Sequence, residues 1–352
     1  MYIIIAILAF GILIGLHEFG HFAAAKLCGV KVNEFSVGMG PALLKKQGKE
    51  TLYALRLLPI GGFCSMEGED EETGDPRAFS AQNHVKRILI LVAGPLMNFI
   101  TGAVIVFILF SGSTGYVGNT ITKIEPTFPS AGEAGLMEGD RIISVNGDRV
   151  YYSSDFTTFM GRAGSTVDIV VQRGSGRVLL DDYELVKREY PDEDGTIRMR
   201  YGISFNIIKA NLGENIKYSA YTSYNFVRLI RMSLADLIHG LVSVKELSGP
   251  VGIVSVMNDI GKEADSARSA LTNIAYLCAF IAVNLAVMNM LPIPALDGGR
   301  VFLLIVTWIV ETVFRRRIDP KYEGYIHTAG LVLMMGLMVV VMFNDVVKIF
   351  RG

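Results

Sequence analysis

The sequence predicts an α-helical polytopic membrane protein of four transmembrane helices, with a small α+β domain inserted between the second and third. Three observations carry this. Residues 88–110 and 271–296 hold no charged side chain, residues 328–343 form a third uncharged run, and residues 2–28 are apolar apart from HEFGH and Lys26. A bilayer crossing takes about 20 predominantly apolar residues. Lysine and arginine gather in two connecting segments. Between residues 115 and 205 the apolar runs give way to short stretches punctuated by Gly and Asp. Of the 352 residues, 51% are hydrophobic and the formal net charge is −1, which speaks against a nucleic-acid partner, whose footprint would be basic.

The N-terminal run lacks the basic flank and small-residue cleavage pattern of a signal peptide, and it continues past HEFGH through FAAAKLCGV. Residues 2–28 therefore read as a retained first span. Residues 29–87 carry Lys31, Lys45, Lys46, Lys49, Arg56, Arg77, Lys86 and Arg87, and residues 315–321 add Arg315, Arg316, Arg317 and Lys321. The N-terminus and residues 111–120 carry none. Positive charge in short loops marks the cytosolic side, so residues 111–270 are expected outside. Cys28, Cys64 and Cys278 fall in spans or on the cytosolic side, and the exported stretch needs no disulfide.

That exported stretch divides in two. NTITKIE, DRIISVNGDRV, VDIVVQRG and RMRYGISF read as strands, with a helical patch, SSDFTTFMGRA, between them. Further on, Phe226, Ile230, Leu234, Leu237, Leu241 and Val244 fall on one side of a helix over 214–246, and Arg228, Arg231 and His239 fall opposite. Such a helix suits the membrane surface or a packed amphipathic position.

HEFGH raises the question of function. Residues four apart in a helix are offset by about 40°, so His17 and His21 share a face, and Glu18 sits beside them without having to ligate. Two imidazoles on Zn²⁺, with a carboxylate that takes a proton from bound water, is the arrangement of a metalloprotease. Ionisable residues at membrane depth cost about 2.5–3.5 kcal/mol each on insertion scales, so a functional reason is expected. At about 1.5 Å per residue, His17 lies roughly 22 Å from the outer end of the first span, in its cytosolic half. Catalytic zinc takes three protein ligands. The candidates for the third are His84, His239, His327, Glu311 and Asp297. Asp297 stands out in NMLPIPALDGG, where Pro292 and Pro294 must break the third span, an irregularity tolerated at membrane depth only against protein or a wet cavity. A plain proline kink with Asp297 capping the second half is the competing account.

HEFGH on the first span and NMLPIPALDG on the third resemble the site-2 protease family of intramembrane zinc metalloproteases. The likeness extends through FSVGMGP, LLPIGGFCSMEGE and AGPLMNF. SAGEAGLMEGDRIISVNGDRV resembles a PDZ domain, a module that binds extended peptide at a sheet edge. Together they point to the bacterial branch that cleaves anti-sigma factors. The resemblance implies that His17, His21 and Asp297 ligate zinc, that Glu18 is general base and proton donor, and that Asn289 and Pro292 contact substrate. It also implies that residues 35–66 form a membrane-associated β-hairpin, turning at Gly61-Gly62 before Phe63, which pairs with an unwound substrate. Asn98 matches a recurrent Asn of the second span and receives no role.

The expected organisation is a first membrane half over 1–110, an extracytoplasmic PDZ domain over 111–206, an interfacial helix and linker over 207–262, and a second membrane half over 263–352. The expected setting is the bacterial cell membrane, with the active site toward the cytosol. The expected partners are a single-span membrane protein as substrate, such as an anti-sigma factor or a remnant signal peptide, the lipid bilayer, and a peptide on the PDZ domain. Two other readings compete. An inactive membrane scaffold built on the PDZ domain has no need of Glu18. A metal transporter would carry several ligand clusters along a path, whereas this chain has one.

Overall fold

A computed structural model describes residues 2–69, 73–128, 132–191, 196–242, 249–314 and 321–351. The chain forms two compact units, Met1–Leu109 with Thr222–Gly352, and Phe110–Tyr221.

In the first unit, α1 (Tyr2–Cys28), α2 (His84–Phe110), α6 (Ala267–Asn289) and the Gly324–Asp345 part of α8 (Lys321–Arg351) are long and apolar enough to cross a membrane. Ile4, Leu8 and Ile12 on α1, Ile108 on α2 and Leu333 and Val339 on α8 point outward and are exposed. Such surfaces are stable against lipid, where a helix satisfies its own backbone. The chain is a membrane protein. Small residues let the helices approach closely. A Cβ on Gly20 of α1 would lie 2.9 Å from Met97 Cβ of α2, and one on Gly102 of α2 would lie 2.8 Å from the Ala279 oxygen of α6.

Two apolar clusters flank the middle of α1. One joins Ala25 to Val32, Cys64 and Met66, to Ile90 and Leu91 of α2, and to Val301 and Leu304 of the helix at Asp297–Phe314. The other joins Ala6 and Leu13 to Met257, in the helix at Pro250–Glu263, and to Ile274, Cys278 and Ile281 of α6. His17 and His21 lie on α1 between them.

The expected break of the third span is a seven-residue turn between α6 and α7 (Asp297–Phe314). Pro292 and Pro294 lack an N–H and cannot continue the helix. Ala295 takes φ +80°, and Gly298 and Gly299 leave room for the turn to fold back: a Cβ on Gly298 would meet the Leu291 oxygen at 2.5 Å. Gly330 of α8 seats against Pro294 in the same way.

Strands β1 (Val32–Gln47) and β2 (Leu52–Met66) form an antiparallel hairpin. The expected turn at Gly61-Gly62 needs correcting. The chain reverses at residues 48–51, and Gly61, at φ +83°, is a bend inside β2. Beyond that bend, residues 62–65 pair with residues 34–37, which on their other side neighbour residues 52–55. Segment 62–66 is thus an outer strand. At this reversal, Glu50 accepts from Arg77 at 2.8 Å and from Lys26.

A second correction concerns residues 249–263, which run through the end of the stretch 207–262 expected as interfacial helix and linker. They contain α5 (Pro250–Glu263), whose start is capped from α8: Asp345 accepts from Gly249 N–H at 3.2 Å and Gly252 N–H at 2.9 Å. A third concerns α4 (Leu212–Ile238). Phe226 packs edge-on against Tyr276 and Phe280, but Arg228, expected on the wet face, is 5% exposed, and Ser223 is buried too. Protein therefore covers this helix on more than one side. Val244 lies outside the described residues.

The second unit is built on an antiparallel sheet in the order β10-β3-β4-β6-β7, with β5 (Asp148–Arg149) beside β4 and a separate pair, β8 (Arg188–Pro191) and β9 (Ile197–Arg200). Strands β3 (Gly115–Ile124), β4 (Arg141–Val145) and β6 (Thr166–Arg173) bury Ile121, Ile142, Val145, Ile169 and Val171. Helix α3 (Ser153–Arg162) adds Phe156, Phe159 and Met160. Asn146 and Gly147, at φ 49° and 82°, make the tight β4–β5 turn that Asn-Gly favours. Buried Asp140 accepts from Arg173 Nε at 2.8 Å and Nη2 at 2.7 Å. Strand β7 (Gly176–Glu184) was not anticipated, and the expected strand RMRYGISF divides at Tyr201-Gly202 into β9 and β10 (Ile203–Lys209).

Candidate metal centre

Helix α1 delivers His17 and His21 to one face, and both are buried, at 9% and 7% exposure. The first residue of α7 delivers Asp297. His17 Nε2 lies 3.2 Å from Asp297 Oδ2 and 3.2 Å from His21 Nε2, and His21 Nε2 lies 3.4 Å from the same oxygen. These three residues form the one group of metal-capable side chains found among the described residues. The donor set can be tested against zinc. Tetrahedral ligands at about 2.0–2.1 Å are separated by edges of about 3.3–3.4 Å. The observed triangle has nearly those edges, so two nitrogens and one oxygen form the face of a tetrahedron open at its fourth corner.

Helix α2 shapes the site from behind. His21 Nδ1 donates to the Ile90 carbonyl at 2.8 Å, which directs the lone pair of Nε2 toward the triangle. Gly94, one turn on, leaves the space that the His21 ring fills: a Cβ there would come within 2.6 Å of Cε1 and 2.7 Å of Cδ2, and nearer still to Nε2. Asn98, a further turn on and 1% exposed, places Nδ2 3.4 Å from His17 Nδ1. Ile90, Gly94 and Asn98 thus form one stripe, four residues apart, behind the two imidazoles.

Glu18 stands beside the triangle, half-buried, and faces the hairpin. A Cβ on Gly62 would lie 3.1 Å from Glu18 Cγ and 2.9 Å from the Ser36 oxygen, so the missing side chain brings the outer strand against the carboxylate. Phe63 follows, its ring 5.1 Å from the Arg56 guanidinium, which also pairs with Glu34 at 2.6 Å. Arg300, one turn after Asp297, pairs with Glu69 just beyond β2 and so ties α7 to the end of the hairpin.

The other sequence candidates sit elsewhere. Asn289 ends α6 and Pro292 lies in the turn leading to Asp297, on the same passage but not in the donor triangle. His84 stacks on Trp308 with Nε2 3.6 Å from Glu311. His239 is exposed, its ring nitrogen 2.7 Å from the Ala235 carbonyl oxygen. The His327 side chain lies outside the described residues. Sequence reasoning passed over Gly94 altogether and gave Asn98 no role. Only its four-residue spacing from Ile90 and Asn98 hints at Gly94.

Membrane helices that bring two imidazoles and a carboxylate to one point, with a second carboxylate alongside, define a membrane-embedded metallopeptidase. The family model for peptidase family M50 matches residues 5–337. Relatives include chains from Clostridium acetobutylicum, 38% identical over 351 residues (98% of this chain, 97% of the relative), and Clostridium perfringens, 35% identical over 350 residues (99% of each), both provisionally named zinc metalloproteases. The zinc metalloprotease RasP of Shouchella clausii is 30% identical over 427 residues, covering 97% of each chain. The chain belongs to peptidase family M50, the site-2 proteases. It is an intramembrane protease acting on membrane proteins.

Proposed function

We propose that this chain is a zinc endopeptidase in which His17, His21 and Asp297 hold the ion and Glu18 is the general base. The observation that carries the reading is the donor triangle of 3.2, 3.2 and 3.4 Å, drawn from two separate helices. A zinc ion held there supplies a Lewis acid for the scissile carbonyl and lowers the pKa of a water. Glu18 takes one proton from the attacking water as its oxygen bonds to the carbonyl carbon, then gives that proton to the amine nitrogen as the C–N bond breaks.

A transmembrane substrate hides its peptide groups in internal hydrogen bonds, so cleavage requires an extended segment with replacement partners. The outer strand at residues 62–66 supplies them by strand addition. Two features support that edge: its inner side is already paired with residues 34–37, and Gly62 borders Glu18. Asn289 and Pro292 lie along the passage that presents Asp297 and contact the substrate from that side.

The substrate is a single-span protein with its N-terminus in the cytosol, trimmed outside before cleavage; anti-sigma factors and remnant signal peptides fit this description. The enzyme resides in the bacterial cell membrane with its site toward the cytosol. The unit around residues 111–206 is a PDZ domain outside the membrane that admits trimmed substrates, with extended peptide as its ligand. Its Asn-Gly turn, single buried-face helix and antiparallel sheet support this.

The test is Glu18→Gln in proteoliposomes with a tagged single-span substrate. Zinc should remain at the wild-type ratio while cleavage is lost; undiminished cleavage would remove Glu18 as base. Deleting residues 115–205 should let untrimmed substrate be cut, and unchanged selectivity would refute the gate.

A further inference from the structure

We infer that Asn98 is a positioning residue for the metal centre, its side-chain oxygen accepting the Nδ1 proton of His17. The inference rests on the zinc reading above. A neutral imidazole has one nitrogen that donates and one that accepts. The Nε2 of His17 faces Asp297 and His21. Its lone pair is therefore the one available to an ion, and Nδ1 must carry the proton and donate it.

What faces Nδ1 is Asn98. The amide nitrogen lies 3.4 Å from it, which sets one donor against another. The amide oxygen meanwhile is buried with no hydrogen-bond partner among the described residues. An orphan buried acceptor costs about 1–3 kcal/mol. Oxygen and nitrogen of a side-chain amide have nearly the same shape, and which is which follows from the hydrogen-bond network. Turning the Asn98 amide by 180° puts the oxygen toward Nδ1 and replaces the donor–donor contact with a hydrogen bond, the NH₂ taking the position that the oxygen leaves.

His21 provides the internal comparison. Its Nδ1 already donates to a carbonyl, that of Ile90, from the same stripe of α2 eight residues earlier. With Asn98 turned, each imidazole is fixed by one oxygen from α2: a backbone oxygen for His21, a side-chain oxygen for His17. Partners of this kind set the tautomer and ring orientation of a metal-bound histidine. Asn98 is thus assigned a role that packing alone does not supply.

Two replacements separate positioning from packing. Asn98→Asp keeps an oxygen acceptor for the Nδ1 proton; Asn98→Leu keeps the volume and removes the acceptor. The purified full chain in detergent is loaded with zinc, dialysed against a graded chelator series, and its retained zinc measured per chain. The thermal midpoint of each metal-free form is recorded alongside. We expect Asn98→Leu to release zinc at roughly 10–100-fold lower chelator than wild type, the range for loss of such a partner, with Asn98→Asp close to wild type. Cobalt-loaded Asn98→Leu should also show an altered visible spectrum. Packing alone gives the opposite order, with leucine tolerated and a buried aspartate destabilising. Wild-type retention in the leucine variant, or equal loss in both, overturns the inference. Asn98→Ala gives the same reading if the leucine form does not fold. Failure of wild type itself to hold zinc would instead overturn the zinc reading.

Discussion

Gly94→Ala is the smallest change that should disable the centre. On helix propensity alone alanine should stabilise α2, by about 0.8–1.0 kcal/mol in an exposed helix interior. The structure predicts the reverse effect on function. The new methyl carbon would sit 2.6 Å from His21 Cε1, and ordinary contact begins near 3.4 Å. The ring must therefore withdraw by about 0.8 Å or more, whereas metal–ligand distances tolerate about 0.2 Å. It cannot do so freely, because Nδ1 is held by the Ile90 carbonyl. Misplacement of a catalytic constellation by about 1 Å costs on the order of 100-fold in rate. The assay is cleavage of a reconstituted single-span substrate, with zinc content and thermal midpoint measured on the same preparation. The expected result is activity down about 100-fold and zinc retention weakened, with the midpoint of the metal-free form lowered by no more than an overpacking strain of about 1–3 kcal/mol implies. Full activity with wild-type zinc would show that the His21 ring does not occupy that space, and the account of how α2 shapes the site would be wrong.

Two further outcomes follow from the same geometry. Gly62→Ala places a methyl 3.1 Å from Glu18 Cγ and 2.9 Å from the Ser36 oxygen, so it should lower cleavage while leaving zinc at the wild-type ratio, as zinc analysis beside the cleavage assay would show. At the hairpin turn, Arg77 and then Lys26 hold the Glu50 carboxyl down to about 2, against 4.5 ordinarily. A depressed carboxylate contributes stability that is present above about 4.5 and lost as pH falls toward 2. Limited proteolysis of the hairpin should therefore accelerate across that window in wild type and vary less with pH in Glu50→Gln.

Much of the membrane unit was legible because the bilayer imposes a length and forbids charge. Apolar runs located α1, α2, α6 and α8, and two prolines located the break before Asp297. The same cost of charge at depth made His17, Glu18, His21 and Asp297 conspicuous. What escaped reading depends on contacts distant in sequence. Helix α5 draws its cap from Asp345, 96 residues away. Arg228 is buried by neighbours that periodicity cannot reveal, since a period separates faces without saying what covers them. Strand β7 carries charges on its open face and resembles a loop in composition. The hairpin reverses at residues 48–51 although Gly61-Gly62 is the stronger local turn signal, because pairing with residues 34–37 keeps the later segment extended. Gly94 acts through the side chain it lacks, so its four-residue spacing from Ile90 and Asn98 hints at the position without revealing what fills the space.

The most direct measurement is zinc-edge X-ray absorption on the purified full chain, compared with Asp297→Ala. The account predicts a first shell of nitrogen and oxygen at about 2.0–2.1 Å, two imidazole signatures, no sulfur, and the loss of one light ligand or of the metal in the variant. A sulfur shell, or a spectrum indifferent to Asp297, would contradict it.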